Sequence, residues 1–287
     1  MNPGSMLKIA LPNKGRLSEE IRELFKDAGL PVRARGERAL SASLGGEFEA
    51  IFVRAQDIPE FVADGAAEAG VTGWDLVSES ERQLETLLDL EFGRCRLVLA
   101  VREEKGISSV DQITSKQRVA TSFPKLTTRF FEAQGKSVEV VPVSGAAEIA
   151  PHLGIADMVV DLTSTGSTLK MNGLKEIATL LESTARLIAR PQHDRKVLGE
   201  LVAALESVLR ARGQRYVMAN VPRAALEKIR SILPGLNGAT IVDSINGGSF
   251  VAVHAVVPEK TLYRTTTELK KLGAEGILVT RIERLMP

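Results

Sequence analysis

Met158-Val159-Val160-Asp161-Leu162-Thr163-Ser164-Thr165-Gly166-Ser167-Thr168-Leu169 passes from an unbroken apolar run, broken first by Asp161, into a tract of hydroxyl residues around one glycine. A short continuous apolar run bounded by turn residues suits a strand buried on both faces of a parallel sheet. The hydroxyl tract, with helical sequence expected after it, then reads as a strand-to-helix turn. Such a turn offers backbone N–H groups and O–H donors to an anion, at the positive end of the helix dipole. Gly166 lets the main chain approach a phosphate closely. The same residues also suit a plain polar loop with a helix cap.

Working outward, the pattern repeats. Val119-Ala120 reads as a strand, Pro124–Ala133 as a helix with Leu126, Phe130 and Phe131 inward, Val138–Val141 as a strand and Ala146–Leu153 as a helix. Towards the N-terminus, Leu7, Ile9 and Leu11 mark a strand. Ser18 reads as the cap of a helix whose face is Ile21, Leu24, Phe25 and Ala28. Gly45-Gly46 joins two strand candidates into a hairpin, and Ala69-Gly70-Val71 is a short buried strand. Strands alternating with helices imply an α/β fold with right-handed crossovers. A break near residues 93–103 divides it into two lobes. After a long helix at residues 194–212, capped by Asp194, the order becomes β-α-β-β-α-β, the ferredoxin-like split unit. The expected domains are residues 6–95 with a return segment at about 186–213, residues 96–185 carrying the hydroxyl loop, and residues 214–287.

Composition excludes several classes. The 37 Lys and Arg balance 36 Asp and Glu to a net charge of +1, against the basic excess of a nucleic-acid binder. The single cysteine, Cys95, rules out an intrachain disulfide and a cysteine-based zinc site; its apolar neighbours read as a buried strand. No apolar run is long enough for a membrane span, and the first residues lack the pattern of a signal peptide. A cytoplasmic protein follows as the expectation. No spacing of Ser, His and Asp marks a nucleophilic triad, and His152, His193 and His254 are scattered. Asp161, at the carboxyl end of its strand, sits where α/β folds bind ligands. With Glu148 upstream, it could accept hydrogen bonds from sugar hydroxyls, although both also suit capping or solvated roles.

The set Glu148, Gly154, Ala156-Asp157, Val159-Val160-Asp161 and Ser164–Leu169 resembles the signature of the ATP phosphoribosyltransferase family, whose reaction opens histidine biosynthesis. The resemblance extends to Leu11–Arg16, Val53–Pro59 and Gly70–Asp75, and covers nearly all of residues 6–287. It implies two lobes of the periplasmic-binding-protein type and, as in the family's long form, a C-terminal regulatory ferredoxin-like domain of the ACT type. It implies that adenine N1 of ATP attacks C1 of phosphoribosyl pyrophosphate and that pyrophosphate leaves. By the same match, Ser164, Thr165, Gly166, Ser167 and Thr168 would hold the ribose 5′-phosphate, and Glu148 and Asp161 the ribose hydroxyls. Arg16, Arg38 and Arg54 resemble the catalytic basic residues that meet ATP and pyrophosphate, and Lys14, Gly15 and Asp75 resemble nucleotide contacts. Asn220, Leu236, Thr240 and Gly276 would contact histidine as feedback inhibitor. Mg2+ enters as a partner of substrate phosphates, with no dedicated protein cage. The partners implied are ATP, phosphoribosyl pyrophosphate and further copies of the chain, as a dimer or hexamer, without nucleic acid or membrane. Two other readings share the two-lobe pattern: a small-molecule binding protein and an amino-acid-sensing regulator without catalysis.

Overall fold

The computed structural model describes residues 6–286, apart from 35, 37, 38, 234, 236, 237 and 244–247. Contacts divide the chain into two compact units. One holds the chain up to Lys26 together with Leu30–Gly199, and the other holds Asp27–Gly29 and everything from Glu200 on.

The larger unit is built on two sheets. The first, seven-stranded, runs β2-β3-β4-β1-β5-β12-β6. Its strands are β1 (Leu7–Pro12), β2 (Val32–Arg33), β3 (Ser41–Leu44), β4 (Phe48–Val53), β5 (Ala69–Gly73), β6 (Glu85–Asp89) and, much later in the chain, Ala185–Ala189. Helices α1 (Arg16–Asp27), α2 (Ile58–Ala63) and α3 (Trp74–Ser80) connect them. Strand β1 lies parallel to both β4 and β5, and Ile9, Ala10 and Leu11 are sealed from solvent. That double burial is why its sequence is nearly all apolar.

The second sheet, five-stranded, runs β11-β7-β10-β8-β9. Its strands are β7 (Cys95–Arg102), β8 (Arg118–Thr121), β9 (Glu139–Pro142), β10 (Met158–Thr163) and β11 (Leu174–Ser183), with α4 (Pro124–Ala133) and α5 (Ser167–Met171) between them. The chain then returns to the first sheet as β12 (Ala185–Ala189). Both sheets are mixed: β10 is parallel to β8 but antiparallel to β7, and β12 is antiparallel to β5 and β6. The two crossings between sheets run side by side. Ala185 N–H donates to the Phe92 carbonyl, and Leu90 N–H to the Ala185 carbonyl, both at 2.9 Å. Further out, the Glu79 carboxylate of α3 accepts the N–H groups of Lys125 and Leu126 at 2.9 Å, capping α4 across the sheets. Arg129 adds a bond to the Ser78 carbonyl at 2.8 Å.

In the smaller unit, α6 (Arg195–Ala211), which starts in the larger one, leads into β13 (Gln214–Pro222), α7 (Leu226–Ile232), β14 (Thr240–Val242), β15 (Phe250–Pro258), α8 (Leu262–Lys271) and β16 (Glu275–Arg281). Its four-stranded sheet has the order β14-β15-β13-β16, and all its pairings are antiparallel. This is the ferredoxin-like arrangement. The alternate residues Val217, Ala219, Val221, Val251, Val253, Ala255 and Val257 face a core completed by Ile229, Leu233 and Leu269.

Several expectations are corrected. The first helix starts at Arg16, and Ser18 is buried within it rather than capping it. Gly15, at φ +85°, turns the chain early. The helix expected at Ala146–Leu153 is a single 3-10 turn, Ala147–Ile149; Pro151 has no N–H with which to extend it. The sequence after the hydroxyl loop gives a helix of five residues, then the ten-residue strand β11. Leu174, Ile177, Ala178 and Leu181 have helical spacing, but two register shifts, between Glu176 and Ala178 and between Thr179 and Leu181, fit that spacing to a strand. Such bulges are common at sheet edges. Contacts group the long helix from Glu200 onward with the smaller unit. Among the described residues, no helix is long and apolar enough to cross a membrane.

Candidate active site

The hydroxyl loop leaves the carboxyl end of β10, whose Met158, Val159 and Val160 are fully buried. Gly166 takes φ +77° at the entry to α5. A side chain there would also run into the Glu176 carboxylate, which Arg96 holds at 3.0 Å. The loop braces itself. Thr163 Oγ1 accepts the Gly166 N–H at 2.7 Å, and the hydroxyls of Thr165 and Ser167 are hydrogen-bonded at 2.9 Å. Among the described residues, the N–H groups of Ser164, Thr165 and Thr168 have no partner. Ser164, Thr165, Ser167 and Thr168 are exposed. The exposed hydroxyls and unpartnered N–H groups of this braced loop suit a phosphate dianion.

Beside it lie two carboxylates. Asp161 accepts its neighbour's N–H, from Leu162, at 2.7 Å. Its pKa is raised above the ordinary carboxylate value, first by burial and then by the charge of Glu148. Glu148 stands on the 3-10 turn Ala147–Ile149. Two acceptors that feel each other's charge suit a pair of hydroxyl donors, or one cation shared with a ligand. Among the described residues, no group of three or more His, Cys, Asp or Glu could hold a metal ion.

A cavity of about 260 Å³ joins the two sheets, walled by Arg16, Leu17, Glu20, Gly73, Asp75, Leu76, Gly93, Arg94, Cys95, Ser164 and Ala185. It thus brings together three of the sequence's candidates, Arg16, Asp75 and Ser164. Arg16 pairs with Glu20 at 2.8 Å with its side chain 82% exposed, so little holds it back from an anionic ligand. Asp75 is buried and its pKa is raised, with desolvation the main cause. Lys14 and Gly15 are exposed in the turn after β1, and Arg54 is exposed before the 3-10 turn Ala55–Asp57; none of the three is in the wall of this cavity. Arg38 lies outside the described residues.

Sequence reasoning missed Arg94, Arg96 and Ser183. Cys95 is half-buried at the start of β7 and faces this cavity, not the interior. Burial, then the charge of Asp75, pushes its thiol up to about 11, so it stays protonated. The repeat Arg94-Cys95-Arg96 at the head of an apolar strand was the available signal. The histidines are all engaged elsewhere: His152 with the Asn172 carbonyl at 2.7 Å, His193 with the Arg190 carbonyl at 2.8 Å, and His254 with Tyr216.

The family profile described as ATP phosphoribosyltransferase matches residues 54–210, which take in Asp75, both carboxylates and the whole loop. The chain belongs to the ATP phosphoribosyltransferase family. A second profile, described as the HisG C-terminal domain, matches residues 211–284. The ATP phosphoribosyltransferase of Gemmatimonas aurantiaca is 65% identical, over 98% of this chain and 100% of its own. That of Methanosarcina barkeri is 44% identical over the same shares. Among solved structures, the ATP phosphoribosyl transferase (HisG:HisZ) complex from Thermotoga maritima matches with a TM-score of 0.64 at 29% identity, over 71% of this chain and 99% of that one. A putative L-cystine ABC transporter from Listeria monocytogenes, 14% identical with a TM-score of 0.51, covers 71% of this chain and 90% of its own and shares the fold alone.

Within the part matched by the C-terminal profile, Asn220 is exposed on β13 opposite Ala252. Gly276, at φ +55°, leaves room for the Asn220 amide, which would lie 3.3 Å from a Cβ there. Asn220 also lines a hollow of about 350 Å³ with Val242, Asp243 and Gly248–Ala252. Thr240 sits exposed on β14, opposite His254. Leu236 lies outside the described residues. Asn220 and Gly276 are thus neighbours, while Thr240 belongs to another strand.

Proposed function

We propose that this chain transfers the phosphoribosyl group from phosphoribosyl pyrophosphate to N1 of ATP, releasing pyrophosphate, as the first step of histidine biosynthesis. The observation that carries this reading is the shared wall of one cavity: Arg16 and Asp75 from the first sheet meet Ser164 of the hydroxyl loop from the second.

Each part then has a chemical task. Adenine N1 already has a free lone pair, so no strong base is needed to make the nucleophile. The barrier lies in aligning two polyanions and in stabilising an oxocarbenium-like C1 opposite a departing pyrophosphate. Positioning and preorganised charge supply that kind of stabilisation. The loop residues Ser164, Thr165, Gly166, Ser167 and Thr168 grip the ribose 5′-phosphate, fixing one end of the donor. Glu148 and Asp161 accept the ribose hydroxyls and set the ring's orientation, and their negative charge favours the cationic character developing at C1. Arg16, Arg38 and Arg54 bind the phosphates of ATP and the leaving pyrophosphate, the planar guanidinium matching two phosphate oxygens at once. Lys14 and Gly15, in the turn after β1, and Asp75 contact the nucleotide. Glu148 and Asp161 would help substrate oxygens to hold a magnesium ion, which would supply charge neutralisation for the leaving pyrophosphate.

The fold of the smaller unit, with Asn220 beside Gly276, supports its reading as a sensor for histidine. An amide accepts a hydrogen bond from the ligand's amine without pairing its charge, so inhibition is weaker than with a carboxylate at that position. We assign the enzyme to the cytoplasm as a homo-oligomer. Incubation with ATP, phosphoribosyl pyrophosphate and Mg2+ should yield the N1-ribosylated nucleotide and one equivalent of pyrophosphate. Folded protein that forms no such product would overturn the reading.

A further inference from the structure

Ser183, the last residue of β11, belongs to none of the motifs above. Its hydroxyl makes two bonds to a residue 108 positions away. It accepts the Asp75 N–H at 3.0 Å and donates to Asp75 Oδ1 at 2.5 Å. Both residues are buried, Ser183 at 3% exposure and Asp75 at 4%. The serine is on the second sheet, while the aspartate opens α3 beside the first.

Local chemistry explains why the contact exists. The residue before α3 is Gly73, which has no side chain with which to cap the helix. One of the helix's unpaired N–H groups is therefore satisfied by a hydroxyl from elsewhere in the fold. A Cβ at Gly73 would press on the Asp75 carboxylate as it is placed, so a larger residue there would push that side chain off Ser183. That carboxylate folds back over Gly73 to reach Ser183. With Oδ1 engaged, Oδ2 has no hydrogen-bond partner among the described residues, and Asp75 forms part of the cavity wall with Arg16 and Ser164.

We infer that Ser183 is a positioning residue: it holds the Asp75 carboxylate in one orientation, leaving its second oxygen for a donor group of ATP, and sets nucleotide affinity without touching either substrate. This rests on the reading of Asp75 as a nucleotide contact. A free aspartate would sample several rotamers and would spend part of its binding strength on being ordered. Ser183 removes that cost, and because it ends the strand that crosses between sheets, it registers the nucleotide group against the loop's sheet.

The test is steady-state kinetics on the full chain, with thermal melts to confirm folding. Ser183→Ala should raise KM for ATP about tenfold, the usual scale for losing a hydrogen bond to a charged group. KM for phosphoribosyl pyrophosphate and kcat should stay within about twofold. Ser183→Thr, which keeps the hydroxyl, should restore KM for ATP. Ser183→Cys, similar in shape but a weak donor, repeats the comparison if the alanine variant does not fold. In an Asp75→Asn background, Ser183→Ala should add nothing to KM for ATP, since the carboxylate oxygen that Ser183 positions is already replaced by an amide nitrogen. An unchanged KM for ATP in Ser183→Ala, or an added effect on top of Asp75→Asn, overturns the positioning role. An unchanged KM for ATP in Asp75→Asn alone instead overturns the nucleotide role of Asp75.

Discussion

The two halves of the candidate site are built in opposite ways. The hydroxyl-loop side is one uninterrupted stretch: Asp161 to Thr168 supply acceptors, donors and turn within eight positions. The Asp75 side is assembled from parts of the chain 108 residues apart, and its key hydroxyl comes from a strand end in the other sheet. The contiguous half depends on backbone conformation and so is sensitive to glycine. The assembled half depends on packing and so is sensitive to burial and charge. Substitutions in the two halves should therefore fail in different ways.

The largest effect is expected at Gly166. An alanine there must adopt φ +77° and displace Glu176 from its bond with Arg96. Strain of roughly 1–3 kcal/mol is normal for such a backbone. Gly166→Ala should raise KM for phosphoribosyl pyrophosphate by about ten- to a hundredfold and leave KM for ATP nearly unchanged. If both constants rise together in kinetic titrations, the two halves are not separable as described.

Next comes the pH dependence of stability. Burial raises the folded-state pKa of Asp75. The folded protein then holds this proton more tightly than the unfolded chain does, so stability falls as pH rises through the folded pKa. Asp75→Asn lacks that titration and keeps an oxygen for Ser183. It should melt above the parent protein at pH 8, and the gain should vanish as pH drops below the Asp75 pKa. Asp161→Asn should show the same sign but a smaller gain, because Asp161 is less buried and water screens it. Equal gains in melts across pH 4–8 would break the contrast.

The smallest effect concerns Cys95. With its thiol pushed up to about 11, alkylation by iodoacetamide should be slow at pH 8 and climb steadily towards pH 10. A rate already at its plateau at pH 8 would show that the pocket floor is wetter and less negative than described.

The same contrast decided what the sequence revealed. The β10 strand and its loop were legible because an apolar run, a glycine and hydroxyls in order carry their own geometry. The ferredoxin-like unit was legible because Val217, Ala219 and Val221 alternate cleanly over a one-sided sheet. Strand β11 was not, because Leu174, Ile177, Ala178 and Leu181 imitate a helix face until bulges re-aim them. With β11 unseen, Ser183 had no place next to Asp75. Arg96 was hidden likewise, since its partner Glu176 lies on the same strand.

Helix α3 is bound to the second sheet at both ends. Its first turn is fastened through Trp74 N–H to the Thr184 carbonyl at 2.9 Å and through Asp75 to Ser183. Its far end is fastened by Ser78 and Glu79 to α4. This seven-residue helix therefore joins the two sheets at each of its ends, and a shift of one sheet against the other must either carry both attachments along or break one of them.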